Sequence, residues 1–414
     1  MRCFSISSAP PDASICDPTG SAGGLRVVYR ASVGARLAIR GRLTRALRHG
    51  PAPNTVNAAS SALLAWLRRA FAAGGGDAAA ASYGMVSGWA APYPEVTGYC
   101  IPTLLRYAGR TGDDALSDLA RRAGRWLART RLENGAICRK QWRPDNTTPS
   151  VFNTGQVIDG WCALATEHGA DPIWRALACE SGAWLLQQQE RDGSWHRGAY
   201  NGIPHTYYTR VAGPLARLAV LADDARFADA AHRQVAWALC YQDADGWVHR
   251  AGFSRSEAPT THTIAYVLEG LVSVGTLLDA PRYLEAADRA ALALRRVFDH
   301  LTYLPGRFDS GWRPAATWRC VTGDAQMGLV WARLARATGD AAYHEAATRI
   351  AEQVRGTIEL RPDWPEVSGG VPGSWPRSGA YDPYAFPTHA AKFALDLIDA
   401  LVPPASSGRV ARIA

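Results

Sequence analysis

Lysine is nearly missing from this chain: of 45 Lys and Arg residues only Lys140 and Lys392 are lysines. A basic balance built almost wholly of arginine reflects genomic base composition more than a binding patch. No C-x-x-C occurs, and the eight cysteines (Cys3, Cys16, Cys100, Cys138, Cys162, Cys179, Cys240 and Cys320) are scattered, several inside apolar helical patterns. That spacing argues against a disulfide scaffold or a zinc site. No apolar run approaches the ~20 residues a membrane helix needs. Phosphate loops, dinucleotide fingerprints and metal-ligand spacings are absent, so neither cofactor nor metal is expected. Neither D-x-D-D nor D-D-x-x-D occurs; the acidic pairs at Asp113 and Asp223 sit in what read as inter-helix turns. A terpenoid-cyclase chemistry, which needs such motifs, is therefore the least favoured class. Alternating β-branched runs, the mark of strands, are also scarce.

What remains is an ordinary globular composition, with 47% hydrophobic and 20% charged residues over 414 positions. That length suits one large domain or two ordinary ones. The net charge of +8 is local: residues 1–50 carry eight Arg against Asp12 and Asp17, which leaves only +2 for the other 364 residues. A nearly neutral body without a basic stripe disfavours nucleic acid as a partner. The start of the chain lacks the continuous apolar segment of a secretory signal. It reads as a flexible Ser/Pro/Gly stretch followed by the Arg-rich "RLAIRGRLTRALRHG". A reduced, cytoplasmic protein is the expectation.

From about residue 55 the chain repeats. Segments such as "DLARRAGRWLARTRLENGA", "ACESGAWLLQQQERDGSW" and "AAHRQVAWALCYQDADGW" share a Trp near a helix end and then a polar Gly-containing turn, a plausible helix stop. A second, more apolar kind of helix starts near Glu95, Asn153, Tyr207, His262, Asp324 and His389. Starts about 55 to 65 residues apart form a repeat period. Counting "AASSALLAWLRRAFAAG" as the opening outer helix gives six helical hairpins. The pattern predicts an all-α (α/α)6 toroid over 52–403, with a flexible segment 1–51 before it and a flexible tail 404–414 after it.

In this pattern each inner helix is polar in its first turn and apolar afterwards. The polar first turns hold Glu95; Asn153, Thr154 and Gln156; His205, Tyr207, Tyr208 and Arg210; Thr261 and His262; Thr322, Asp324 and Gln326; and His389 with Lys392. Inner helices of a toroid run parallel, so these turns meet at one end of the ring. The loops feeding that end are long and aromatic, with Trp142, Trp195, Trp247, Trp312 and Trp375 flanked by Arg, His and Asp. Rings that stack on sugar faces, with polar groups for hydroxyls, suit a carbohydrate cleft. Capping the ends of the ring is the competing role for the same tryptophans.

The phrases "YPEVTGY", "DGSW", "THTIAYVLEGL", "TGDAQM" and "AAKFALD" resemble a family of bacterial α/α-toroid proteins grouped with the six-hairpin glycosidases and often associated with polysaccharide clusters. The resemblance spans most of residues 83–401. It implies the toroid fold and a bacterial polysaccharide, or an oligosaccharide from it, as substrate. Hydrolases, uronate lyases and epimerases share that scaffold, so the reaction stays open. Hydrolases dominate the resembled group, and hydrolysis normally needs two carboxyl groups. Glu95 and Asp324 are the expected acid/base pair, Asp245, Asp309 and Asp382 lesser candidates. His262 and Tyr208 would contact substrate, and Arg210 an anionic group. The alternative is a uronate lyase or C5-epimerase with Tyr208, His262 and Tyr266 handling protons. Asn153, His205, Tyr207, Gln326, His389 and Lys392 then line the sugar site. Glu269, two turns into its helix, is expected to be structural. A glycan-binding toroid without turnover is the third possibility.

Overall fold

The computed structural model describes residues 49–402, all in one compact unit that begins at His49. The expected tail 404–414 and residues 1–48 of the expected N-terminal segment lie outside the described residues. Residues 49–51 already touch the unit: Leu360 N–H donates to the Pro51 carbonyl at 2.8 Å, and the His49 ring meets Glu359 at 2.7 Å.

Twelve α-helices alternate between an outer and an inner layer. The outer helices are α1 (Val56–Ala73), α3 (Asp114–Thr130), α5 (Ile173–Gln188), α7 (Ala225–Leu239), α9 (Pro281–Leu301) and α11 (Ala341–Arg355). The inner ones are α2 (Pro94–Thr111), α4 (Val151–Ala165), α6 (Thr209–Ala222), α8 (Thr261–Leu277), α10 (Val321–Thr338) and α12 (Thr388–Leu401). Every inner helix packs on the next, and α12 returns to α2, so the inner ring closes. Each inner helix also packs on the outer helix that follows it in sequence. The sixth such pair joins the two ends of the chain, α12 against α1. This is the (α/α)6 toroid that the repeat period predicts.

Local chemistry starts the helices where the pattern places them. The side chains of Ser150 and Thr260 accept the backbone N–H groups of Asn153 and Thr263, capping α4 and α8. Asp113 and Asp224, one from each acidic pair set aside above, do the same for α3 and α7. Apart from helices, the described residues hold only strands of two or three residues. Ala385–Pro387 pairs antiparallel with Ser82–Gly84, and Ser374–Trp375 with Arg319–Cys320. These short pairings tie the loop before α12 to the loops that precede α2 and α10.

Glycine brings the inner helices together. A Cβ on Gly270 of α8 would stand 2.2 Å from the backbone carbonyl of Thr209 at the start of α6, and one on Gly323 of α10 would stand 2.6 Å from the His262 backbone nitrogen. Neither obstacle is a movable side-chain tip. Gly270→Ala is therefore expected to cost about 1–3 kcal/mol, the range for overpacking, read as a lower urea midpoint. An unchanged midpoint would show that the α6–α8 contact is not tight.

The expectation that inner helices turn apolar after their first turn fails at the ring axis. Arg106, Asp159, Arg217, Glu269, Arg333 and Asp396, all deeper along the inner helices, line a cavity of about 40 Å³ there. Glycine and alanine face the neighbouring helices, which leaves long polar side chains to fill the centre.

Candidate active site

The first turns of the inner helices meet at one mouth, and its floor is aromatic. Tyr266 of α8 packs against Phe152 at 5.2 Å, His262 at 4.3 Å and Phe393 at 6.3 Å between ring centroids. Its hydroxyl is in short contact with that of Tyr99, which in turn donates to Glu95 Oε1 at 3.0 Å. Since Tyr99 spends its single proton on the carboxylate, Tyr266 donates to Tyr99, and the three form a directed chain. Tyr93 also hydrogen-bonds to Glu95. Half-buried Glu95 is thus held by two tyrosines. Burial raises its pKa even so, against those hydrogen bonds and the nearby Arg210. Such a carboxyl is poised to carry a proton.

His262 of α8 and His389 of α12 face each other, ring centroids 5.5 Å apart and nearly parallel at 25°. His262 Nδ1 lies 2.5 Å from Gln326 Oε1, while Gln326 Nε2 donates to Glu269 Oε1 at 2.7 Å. A carboxylate only accepts, so Glu269 fixes which end of the Gln326 amide faces it. The amide oxygen then faces His262, Nδ1 must carry the proton, and Nε2 keeps its lone pair. Glu269 is held by Arg210 at 3.2 Å. Arg210, Glu269, Gln326 and His262 therefore form one chain that sets a tautomer. Beside it, His389 Nε2 is 3.0 Å from the Tyr381 hydroxyl.

Burial lowers both imidazole pKa values. His262 falls to about 4, with Gln326 opposing and Arg210 assisting the shift; His389 falls well below the usual range, with His262 and Lys392 adding to burial. Both rings are neutral at pH 7 and both can act as bases. The sign for stability follows: between pH 6.5 and about 4 an unfolded imidazole binds a proton that folded His262 refuses, so stability falls as pH falls. For His262 alone the loss approaches about 3 kcal/mol below that window. Urea unfolding of the parent and His262→Gln across this range checks it; the variant should show a visibly flatter pH dependence.

The other expected site residues take definite places. Asp324 is fully buried on α10, its Oδ2 held by Arg319 Nη2 at 2.7 Å and Nε at 3.0 Å, while Oδ1 has no partner. Burial raises its pKa against the Arg319 charge. Tyr208 is buried, and its hydroxyl accepts the Tyr200 N–H at 2.7 Å. His205, also buried, places its ring nitrogens 3.0 and 2.9 Å from the carbonyls of Gly252 and Tyr200, pinning two loops. Tyr207 stacks on His205 at 4.6 Å and reaches Phe152. Asn153 donates to the Cys138 carbonyl at 2.8 Å and lies within hydrogen-bonding reach of Tyr93. Arg210 and Lys392 lie against the floor rings, each paired with an acid, Glu269 and Asp396 respectively.

Trp195, Trp247 and Trp312 are only 1%, 4% and 8% exposed, and the indole N–H groups of Trp195 and Trp312 donate to the carbonyls of Leu185 and Asp245. Trp375 is half-buried against His49 at 5.1 Å. The first three therefore have little ring surface open to solvent. Glu269, expected to be structural, is buried between Gln326 and Arg210. The sequence pattern did not single out Tyr93, Tyr99 or Tyr381. Tyr99 stands four residues after Glu95, a spacing that could have flagged it; Tyr381 sits in a long loop with no periodic signal. Among the described residues no three His, Cys, Asp or Glu side chains are grouped to hold a metal, no helix is long and apolar enough to cross a membrane, and all six cysteines are free.

No protein-family model matches the chain, and no curated protein does. Solved structures do match. An unsaturated glucuronyl hydrolase specific for heparin aligns at TM-score 0.65 and 14% identity, over 84% of this chain and 96% of its own. The unsaturated glucuronyl hydrolase of Bacillus sp. GL1 aligns at 0.62 and 15%, over 83% and 96%. The cellobiose 2-epimerase of Spirochaeta thermophila aligns at 0.61 and 14%, over 84% and 97%. The likeness lies in the fold: this chain is an (α/α)6 toroid, as those structures are.

Proposed function

We propose that this protein is a carbohydrate-active enzyme that moves a proton on a sugar carbon, as epimerases and lyases do. One observation carries this reading: the His262 tautomer, fixed through Gln326 and Glu269, beside a second neutral imidazole, His389. His262 Nε2 takes a proton from a carbon next to a carbonyl or carboxylate. The electron pair moves onto the adjacent oxygen, where hydroxyl and carboxyl donors at the mouth stabilise it. The Tyr381 hydroxyl, 3.0 Å from His389 Nε2, then gives its proton to the carbon, which epimerises, or to a leaving oxygen, which eliminates; exchange with water takes the proton from His262 and restores the one on Tyr381. The substrate is an oligosaccharide of bacterial polysaccharide origin. The toroid likeness supports the substrate class, since proteins of this fold named for epimerisation and for glucuronyl hydrolysis both act on sugars.

Hydrolysis is the second reading, favoured by Glu95, whose raised pKa and partial exposure suit a general acid. Its expected partner Asp324 would have to activate water while bound to Arg319. The two readings separate on a panel of neutral and uronic oligosaccharides. Proton transfer gives products of unchanged composition, or an unsaturated uronate with its absorbance. New reducing ends formed with uptake of water, in a reaction that needs Glu95 and not His262, would replace the first reading by the second.

A further inference from the structure

The axial cavity lies below the mouth. On each helix its lining follows the mouth residues in sequence: Glu269 comes after His262 and Tyr266, Asp396 after His389, Arg106 after Glu95 and Tyr99. Two of its lining residues, Arg210 and Lys392, also touch the floor rings of Tyr99, Tyr266 and Phe393. The Arg210 guanidinium carbon lies 5.7 to 5.9 Å from all three centroids, and Lys392 Nζ is 4.1 Å from that of Phe393. At about 40 Å³ the space holds a few waters or one small ion, not a sugar.

Its charges do not balance. Arg217 meets Asp159 at 3.2 Å, Arg210 meets Glu269 at 3.2 Å, and Lys392 meets Asp396 at 2.7 Å. Arg106 shares Asp396 and also reaches Asp399, which Arg110 engages at 2.7 Å. Arg333 of α10 is left: it makes no ion pair or hydrogen bond among the described residues, and Arg210 Nε is buried with no acceptor. Around the cavity five cations therefore face three carboxylates. Guanidinium groups do not shed their protons, and an uncompensated charge in a low-dielectric space is costly. Burial lowers the Arg333 pKa, and repulsion from Arg210 and Arg106 assists against the attraction of Glu269 and Asp396.

We propose that the axial cavity binds one small inorganic anion, a halide or a tetrahedral oxyanion, between Arg333 and Arg210 Nε. The ion supplies the counter-charge that no carboxylate provides and braces the aromatic floor from below. Its binding does not depend on which reaction the mouth performs.

Thermal unfolding of the full chain at constant ionic strength tests this, with gluconate replaced stepwise by chloride, bromide, sulfate or phosphate. A saturable rise in Tm is expected for at least one of these anions, as for any ligand that binds only the folded state. In Arg333→Gln the apparent affinity should fall at least about tenfold. In gluconate that variant should be no less stable than the parent, since it removes a half-buried charge that has no ion pair. Which anion saturates at the lowest concentration separates a halide site from an oxyanion site. A rise that never saturates, a rise equal in both proteins, or no rise with any anion overturns the proposal. Should the variant fail to fold, a parent crystal soaked in bromide and one soaked in selenate decide: an anomalous peak beside Arg333 in either supports the site, and none in both refutes it.

Discussion

His262→Gln is expected to lower kcat on the cognate sugar by about 10²–10⁴-fold, the contribution of a positioned general base, with the fold retained. The glutamine amide falls near the Nε2 position and cannot take up a proton there, so the base is lost and its Nδ1 contact to Gln326 with it. The loss should fall on kcat more than on KM, because the base acts in the transition state rather than in binding. Glu95→Gln gives the contrast. In proton transfer Glu95 stabilises charge at the mouth and its loss is the milder of the two. In hydrolysis the ranking inverts, since Glu95 would be the acid. Steady-state kinetics on both variants, with circular dichroism to confirm folding, reads the order directly.

Glu269→Gln is expected to have the largest effect on stability. It leaves Arg210 buried without its carboxylate, and breaking a buried pair from one side costs about 3–5 kcal/mol. Its second effect is on chemistry. A glutamine at 269 can offer either its oxygen or its amino group to Gln326, so the Gln326 amide is free to turn and His262 to take the other tautomer. Activity should therefore fall in whatever fraction remains folded, with an altered pH–rate profile, while Glu269→Asp restores the acceptor and part of both. Urea unfolding together with kcat against pH on the folded fraction checks the pair of effects. If Glu269→Gln loses stability but keeps the parent pH profile, Glu269 is a structural counter-ion only.

The toroid was legible because its signals are periodic. Trp-anchored outer helices, Gly-rich inner ones and a spacing of about 55 to 65 residues repeat often enough to outweigh local ambiguity. Polar first turns also pointed correctly to one rim, since parallel inner helices bring their starts together. What the pattern could not give is direction within that rim. Tyr208 and His205 stand in a polar first turn as His262 does, yet their polar atoms serve backbone groups of neighbouring loops. Asp324 looked as available as Glu95 until Arg319, five residues earlier in a loop, proved to hold it. Gln326 lies 64 residues from His262, and Tyr381 sits in the irregular loop before His389, so neither partner carries a periodic trace. The axial charges escaped for a related reason: single Arg, Asp and Glu residues amid apolar runs read as noise along one helix, and only closure of the ring puts six helices' worth of them together.

Proton movement on a sugar carbon leaves an isotopic record, so one measurement meets the central claim head-on. The parent protein and His262→Gln are incubated in D₂O with neutral and uronic oligosaccharides, and the recovered sugars are examined by mass spectrometry and NMR for carbon-bound deuterium. Incorporation by the parent into an intact epimer, or an unsaturated uronate formed by loss of the carbon-bound hydrogen, with neither seen for His262→Gln, is the result expected. Cleaved sugars that carry solvent oxygen but no carbon-bound deuterium, formed equally well by the variant, would contradict it.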